Sequence, residues 1–357
     1  MPNWRESMEQ TFEFYTVDPG TWKETGKLDN VKSCSIIRDL DAETLGSATI
    51  DITESVGECY IRVYLVTIQN GVREKHPLGT FMVQTPSSSY DGRLRSVSMD
   101  AYTPLIELKE NPPPFGYAIT KGVPGKEVNI MSVAYSLCRE HMRGPVVEAS
   151  CAEILYNDFV ANANDTWLSF LSDFIANAKY TFMLDEMGRV LFAPKQELDA
   201  LRPIWTYEDG EDSIMYPDID MDHDLFGVPN VVEVIYSKGE DQHYVRVVND
   251  DPNSPTSTVN RGRELLYRDT DPSLPGIPDD DQIQDYAEQL LKELSTVEYT
   301  VRYTHAYCGT RLGDCVRINY KRAGLTDIKA RIVSQSIKCE PGCPVSETAV
   351  FTTKLWR

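Results

Sequence analysis

The chain has 357 residues, of which 41% are hydrophobic, and it carries 35 Lys and Arg against 55 Asp and Glu, a formal net charge of −20 at pH 7. This acidic balance argues against a protein that grips nucleic acid or docks on an anionic membrane, because both activities rely on Lys and Arg. The hydrophobic fraction excludes a disordered acidic chain, and the length suffices for two or three domains with buried cores.

The first residues, which include Arg5, Glu6 and Glu9, have no apolar core of the kind found in a signal peptide. No apolar run approaches the roughly 18 residues that a membrane helix needs. We therefore expect a protein without a membrane anchor that is made and folded in a cytoplasm.

Residues 1–110 are predicted to form a first β domain with an N-terminal arm. β-branched and aromatic residues recur in five predicted strands, at 35–38, 48–53, 60–68, 79–85 and 94–99. The Asn-Gly pair at 70 and the Asp-Gly pair at 91 predict turns, since Asn, Asp and Gly accept positive φ. Short strands punctuated in this way favour a small antiparallel barrel or sandwich.

Three prolines at 112–114 break the β pattern and predict a domain boundary. Apolar residues three or four apart then predict a helix over 128–142 and a second helix over 165–178, which Asp165 would cap. Two apolar segments that follow predict a β-hairpin, at 180–184 and 189–192. Residues 111–203 are therefore predicted to be a small α+β insert.

Residues 204–357 are predicted to contain an acidic connector and a second β domain. The predicted strands lie at 231–236, 243–248, 299–303, 314–320 and 330–337, with one amphipathic helix over 283–294. The Pro-, Ser- and Asp-rich stretch 250–281 is predicted to be a long surface excursion. The expected fold class is α+β, mainly β, with two small antiparallel β-barrels at 1–110 and 204–357 on either side of the insert.

The eight cysteines stand at positions 34, 59, 138, 151, 308, 315, 339 and 343. Cys339 and Cys343 flank a Pro-Gly turn, and Cys308 and Cys315 could complete a four-thiolate zinc site, although the usual CxxC spacing is missing. A disulfide between Cys339 and Cys343 is the second alternative. Reduced, mostly buried thiols are favoured, since no secretion signal is evident.

Four aspartates at alternate positions form the sharpest local anomaly: Asp218, Asp220, Asp222 and Asp224. In an extended segment they share one face, where a calcium ion or water would relieve their repulsion. The EF-hand pattern fails because His223 stands at its Gly position and Pro229 at its Glu position. A solvated acidic connector is favoured over a cation site.

No catalytic motif accompanies these residues. The sequence has no GxSxG, HExxH, phosphate-binding or dinucleotide-binding pattern. Its five histidines, at 76, 141, 223, 243 and 305, are scattered in polar settings where a structural role is expected. We therefore predict that the chain is not an enzyme and that it has no catalytic, cofactor-binding or metal-binding residues.

Several stretches occur in an informative order: LDNVKSCSIIR at 28–38, DTWLSFLSDFI and the hairpin after it at 165–192, VPNVVEV at 228–234, YAEQLL at 286–291 and LGDCVRI at 312–318. In this order they resemble the central baseplate hub protein of phage tails. That family includes the hubs of contractile phages and R-type bacteriocins and the related type VI secretion spike base. The likeness covers most of residues 25–357.

The resemblance implies an architecture rather than a catalytic activity. Such hubs are homotrimers in which each subunit supplies two similar barrels, so that six barrels form a pseudo-six-fold ring around a channel. The ring joins a tail tube or tube-initiator protein above to a central spike or needle protein below. The tape-measure protein and other baseplate proteins are further expected partners, and DNA is expected only in transit. The expected location is the tail baseplate of a virion or bacteriocin particle assembled in a bacterial cytoplasm.

Two alternatives stay open, a tail-tip or adhesin-base protein of a non-contractile phage and a cell-wall glycan hydrolase. If the channel is a DNA conduit, the insert should lie outside the ring. The lumen should then be polar and net acidic, because a basic lining would hold phosphates. The strands expected to carry this lining are 60–68, 79–85, 230–236 and 314–320.

Overall fold

The computed structural model describes residues 2–54, 56–90, 92, 95–238, 241–270, 272 and 279–356. Within these ranges the chain forms 20 strands and five α-helices, which confirms an α+β, mainly β fold. The turn predicted at Asp91, the strand start at Leu94 and part of the predicted excursion 250–281 fall outside the described residues.

Seven strands form the N-terminal β region, in chain order β1 (Glu9–Val17), β2 (Glu24–Leu28), β3 (Val31–Asp39), β4 (Gly46–Ile52), β5 (Tyr60–Gln69), β6 (Val72–Tyr90) and β7 (Arg95–Tyr102). Their order in the sheet is β3-β4-β7-β6-β5-β1-β2, and every pair of neighbours is antiparallel. The predicted turn at 70 is confirmed: Asn70 (φ 53°) and Gly71 (φ 76°) join β5 to β6 directly.

Strand β5 is buried on both faces. Ile61, Val63 and Leu65 lie in the core of this sheet, and the alternate side chains from Tyr60 to Val66 are also buried. The run contains no Asp or Glu, so the expectation that strand 60–68 exposes an acidic channel face is wrong. The turn of the insert's hairpin contacts this second face, where the Met187 carbonyl accepts a hydrogen bond from the Arg62 guanidinium.

The predicted insert follows α1 (Ile106–Lys109) and contains two further α-helices, a short pair of strands that are distant in sequence (β8–β9) and one β-hairpin (β10–β11): β8 (Ala118–Ile119), α2 (Ile130–His141), β9 (Phe159–Val160), α3 (Trp167–Ala176), β10 (Tyr180–Leu184) and β11 (Val190–Pro194). It has its own hydrophobic core, to which α2, α3, β10 and β11 all contribute. The predicted helices and the β10–β11 hairpin are thereby confirmed. The predicted cap is wrong, because Thr166 caps α3 in a reciprocal capping box with Ser169, whereas Asp165 accepts a hydrogen bond from the Asn162 N–H.

The C-terminal region adds nine strands and two helices to the described chain. Its elements are a 3-10 turn (Leu198–Ala200), β12 (Trp205–Glu208), β13 (Met215–His223), β14 (Val231–Lys238), β15 (Asp241–Val248), α4 (Thr258–Arg261), β16 (Leu266–Asp269), α5 (Asp280–Leu294), β17 (Thr296–Ala306), β18 (Cys315–Asn319), a 3-10 turn (Lys321–Ala323), β19 (Ile328–Lys338) and β20 (Pro344–Lys354). Strand β19 pairs with β3 and continues the first sheet, in the order β13-β17-β20-β19-β3. Strands β12 and β18 join it beside β19.

The chain divides into two compact units, one formed by residues 1–218 and 303–348 and the other by residues 219–302 and 349–357. The second unit contains the sheet β15-β14-β16, against which α5 packs Ile283, Ala287 and Leu291. Among the described strands the order of the large sheet does not return to its start. The two closed barrels and the three-domain division therefore stay predictions.

The packing of α3 can be tested by truncating Trp167. This side chain is buried, its ring lies 4.0 Å from that of His141 and 4.9 Å from that of Tyr117, and α3 packs against β10. Trp167→Ala should lower the free energy of unfolding by about 3–5 kcal/mol, measured by chemical denaturation. Phe115→Ala is the matched control, because Phe115 is 99% exposed, and it should change stability by less than about 0.5 kcal/mol. Equal effects would contradict the packing.

Candidate functional site

The four alternate aspartates lie on an exposed segment. Three of them lie on β13, as predicted for an extended segment, and all four are exposed: Asp218, Asp220, Asp222 and Asp224. Asp222 pairs with Arg302, and Asp224 accepts a hydrogen bond from the Phe226 N–H at 2.7 Å. Within the described part of the chain no group of three or more His, Cys, Asp or Glu side chains could hold a metal ion.

The eight cysteines are free thiols in this structure. Cys308 and Cys315 do not meet Cys339 and Cys343 in any metal-binding group of described residues. The favoured interpretation, reduced thiols that are mostly buried, agrees with both observations. Cys339 lies beside a cysteine that the sequence did not suggest as its neighbour: its N–H donates to the Cys34 carbonyl at 2.9 Å.

Each histidine has a structural contact, as the sequence predicted. The contacts are His76 with Thr67, His141 with Trp167, His223 with Tyr299, His243 with Asp280 and His305 with Glu347. Only the last of these is completely buried, with both side chains at 0% exposure. It marks the most unusual electrostatic environment in the described chain.

Sequence analysis missed Glu347, although β20 carried a signal. Val345, Ala349 and Phe351 are buried on one face of the strand, and the period of two puts Glu347 on that same face. An acidic residue in an apolar register must find partners inside the protein, because an isolated buried charge is too costly. His305 likewise lies on the buried face of β17, in line with the buried Tyr303 and with Tyr307 just after the strand.

Five donors surround the Glu347 carboxylate. Oε1 accepts from Thr310 Oγ1 and Gln335 Nε2, both at 2.6 Å, and lies 3.2 Å from His305 Nε2. Oε2 accepts from the hydroxyls of Tyr303 at 2.8 Å and Tyr207 at 3.0 Å. These side chains come from β12, β17, β19, β20 and the loop after β17, so one carboxylate holds four strands together. We call these six residues the Glu347 cluster.

Hydrogen bonding requires a doubly protonated His305. Its Nδ1 lies 2.7 Å from the carbonyl oxygen of Ala306, which can only accept, so Nδ1 must carry a proton. Its Nε2 faces Glu347 and the Tyr207 oxygen, and the Tyr207 proton is already donated to Glu347. Donation from Nε2 to Glu347 Oε1, 3.2 Å away, makes the ring an imidazolium paired with a carboxylate.

The pKa values agree with this assignment. Burial alone would lower the pKa of His305, but the Glu347 carboxylate outweighs it and raises that pKa to about 10. Burial alone would raise the pKa of Glu347, but His305, Thr310 and Gln335 lower it to about 2. Burial also raises the pKa of Tyr207 and Tyr303 well above normal, so both hydroxyls keep the protons that they donate.

Cys308, His305 and Glu347 are arranged in the order of a nucleophile, a base and an acid, but the geometry does not support catalysis. The Cys308 sulfur is 3.8 Å from His305 Nδ1, and that nitrogen already donates to Ala306. A protonated imidazole cannot take a thiol proton. All three side chains are also buried, so a substrate has no access to them. The arrangement stabilises the fold instead.

The polar network extends from Glu347 to residues of the N-terminal β region and of the predicted insert. Gln335 accepts from Arg38 Nη1 of β3 at 2.9 Å, and Arg38 lies 3.8 Å from Glu186 in the turn of the β10–β11 hairpin. Glu186 is buried and also pairs with Arg311 Nε at 2.8 Å. We call the series Glu347–Gln335–Arg38–Glu186 the polar chain. It connects residues of 204–357, 1–110 and 111–203.

The hairpin turn is held close to the N-terminal sheet by its backbone. Trp22 Nε1 donates to the Met187 carbonyl at 2.7 Å. Gly188 follows with φ of 76°, and a Cβ there would lie 2.9 Å from that of Thr80. Only glycine fits this contact, because both the φ angle and the space exclude a side chain. The turn is therefore fixed in position beside Arg38.

A cavity of about 150 Å³ lies beside the polar chain. Arg38, Glu186 and Arg311 line its polar side, and Leu45 and Leu78 belong to its apolar side. The charged groups here already pair with one another. The cavity therefore has space for water or a small ligand but presents no unpaired charge among these three groups.

The fold of the chain is similar to that of known phage tail proteins. No family model matches the sequence, and no curated protein matches it. The fold is similar to that of a tail protein from Neisseria meningitidis, with a TM-score of 0.61 and 11% identity over 97% of this chain and 98% of the other. It is also similar to the 43 kDa tail protein of prophage MuSo2 from Shewanella oneidensis, with a TM-score of 0.59 and 11% identity over 96% and 98%. The chain therefore has a phage tail protein fold, and the predicted resemblance is confirmed at that level. None of the described helices is both long and apolar enough to cross a membrane.

Removing the charge of Glu347 should destabilise the protein strongly. Glu347→Gln keeps the side-chain size but leaves the His305 imidazolium buried without its counter-charge, at an expected cost of about 3–5 kcal/mol in unfolding free energy. Glu208→Gln is the matched control, because Glu208 makes a 2.8 Å ion pair with Arg5 at a partly exposed site, which should contribute less than about 1 kcal/mol. Comparable losses in the two variants, measured by chemical denaturation, would refute the role given to Glu347.

Stability should also depend on pH through this pair. His305 has a folded pKa near 10 against 6.5 for the ordinary group, so its contribution is complete below pH 6.5 and is lost as the pH rises towards 10. Glu347 has a folded pKa near 2 against 4.5, so its contribution is complete above pH 4.5 and is lost as the pH falls towards 2. The difference in unfolding free energy between the wild type and Glu347→Gln should shrink in both windows. A difference that stays constant from pH 5 to 10 would contradict the ion pair.

Proposed function

We propose that the chain is a structural hub subunit of a phage-like tail. The observation that carries this proposal is the match of nearly the whole chain to two tail proteins, each also matched over 98% of its own length. A shared fold over complete chains favours a shared kind of role more than a match to one domain would, although fold alone does not fix function. The hub then joins the tail tube to the central spike around a channel.

The sheet edges support assembly into a ring. Strand β2 stands at one end of the large sheet and β13 at the other, so each has a single neighbour among the described strands. Such edges present unpaired N–H and C=O groups that another chain can pair with. We infer that three subunits assemble by such contacts, and that two β regions per subunit give the ring its pseudo-six-fold symmetry.

A non-enzymatic role is supported by the Glu347 cluster. Its charged groups satisfy one another away from solvent, which suits a rigid assembly subunit. The net charge of −20 is compatible with DNA that passes through without binding. Because β5 has no acidic face, an acidic lumen has to come from other strands.

The runner-up is a tail-tip or adhesin-base protein of a non-contractile phage, which would have the same fold. Since the two roles differ in the surrounding particle, the presence of a contractile sheath in the purified particle separates them. Turnover of cell-wall glycan by the purified chain would favour the third candidate, a hydrolase.

The copy number of the chain tests the hub directly. We expect three copies in each purified tail, counted by electron microscopy of intact particles and by quantitative mass spectrometry against the tube protein. Glu208→Gln should leave this number unchanged, because its ion pair contributes little. Six copies in a ring, or a single copy per tail, would overturn the proposal.

A further inference from the structure

Two cysteines far apart in sequence face each other where the N-terminal and C-terminal β regions pair. Strand β3 pairs with β19 in antiparallel register, with Ser35 opposite Lys338. The next pair in this register is Cys34 with Cys339, and the Cys339 N–H donates to the Cys34 carbonyl at 2.9 Å. The two residues are therefore direct cross-strand neighbours.

The backbone spacing expected for this pair lies within the range found for disulfides. Directly opposed residues that share such a hydrogen bond have Cα atoms about 5.5 Å apart, inside the range of about 4.4–6.8 Å found for disulfides. Cys34 belongs to an apolar cluster against which Cys339 packs. Cys34 is buried, whereas Cys339 is half-buried.

Cys343 is the competing partner, since it belongs to the same cluster. It follows the turn closed by its own N–H and the Glu340 carbonyl, at 2.8 Å, and its carbonyl accepts from the Tyr307 N–H. Cys343 is completely buried, and it is not paired with Cys339 in the β3–β19 register. The register therefore favours Cys34 over Cys343 as the partner of Cys339.

We propose that Cys34 and Cys339 form a disulfide when the protein meets a small-molecule disulfide such as oxidised glutathione. The Cys339 thiolate attacks one glutathione sulfur, which releases one reduced glutathione and leaves a mixed disulfide on Cys339. Cys34 loses its proton to solvent and attacks the Cys339 sulfur, which releases the second glutathione. Two protein thiols are oxidised and one glutathione disulfide is reduced to two thiols, so atoms and electrons balance.

The cross-link would join β3 to β19 and so close a loop of about 300 residues between positions 34 and 339. The two strands would then be linked covalently where the N-terminal sheet continues into the C-terminal strands. A particle released from a reducing cytoplasm would gain this bond outside the cell. The bond itself does not depend on the hub proposal, since it requires only the β3–β19 register.

The experiment uses the full-length chain, purified with reductant and then incubated with oxidised glutathione. Free thiols are blocked with N-ethylmaleimide, and the linked peptides are identified by mass spectrometry without reduction. We expect a peptide pair joined through Cys34 and Cys339, and a faster band on a non-reducing denaturing gel. The neighbouring Cys34 and burial raise the pKa of Cys339, so the reaction should speed up about tenfold per pH unit between pH 7 and 9.

Variants separate the two pairings. Cys34→Ser should abolish the band shift, whereas Cys343→Ser and the control Cys151→Ser should retain it. Oxidation of the wild type should raise the melting temperature by about 5–10 °C. A Cys339–Cys343 peptide, or only glutathionylated Cys339, would overturn the proposal. The peptide map of the wild type decides this even if a variant fails to fold.

Discussion

The fold of the larger unit depends on neutralising one carboxylate, that of Glu347, in the protein interior. A buried ion pair costs more in lost hydration than its attraction returns unless hydrogen bonds satisfy the remaining atoms. Here the imidazolium of His305 and four neutral donors supply what water would have given. The donors come from different strands, so the cluster is complete only when those strands are in register.

The need to pair buried polar and charged groups extends beyond the Glu347 cluster. Gln335 faces Glu347 through its amide nitrogen and Arg38 through its amide oxygen. Arg38 and Arg311 in turn keep Glu186 paired at the hairpin turn. Polar contacts thus connect the three sequence regions.

Much of the local structure could be predicted from the sequence. β-branched and aromatic residues located β5, β14 and β19. The three-to-four spacing located α2, α3 and α5, because burial on one face of a helix leaves a readable pattern. The β10–β11 hairpin was predicted from its two short apolar segments. The cap of α3 was misplaced by one residue, since Asp165 and Thr166 are both good caps and only the backbone decides between them.

The long-range features could not be predicted in this way. Glu347 and His305 stand 42 residues apart in sequence, and nothing local says that they meet. The pairing of β3 with β19, which brings Cys34 to Cys339, is equally non-local. The two-sided burial of β5 depends on the insert's hairpin, which is distant in sequence. The resemblance to tail hubs predicted the fold but not these contacts.

The most direct test of this account is a double-mutant cycle across the polar chain. Arg38→Met and Glu347→Gln are made singly and together, and unfolding free energies are measured at pH 7. If the chain couples the N-terminal and C-terminal regions, the two losses should be non-additive by about 0.5–3 kcal/mol. Additive losses would show that the two sites stabilise the protein independently, and would contradict the account.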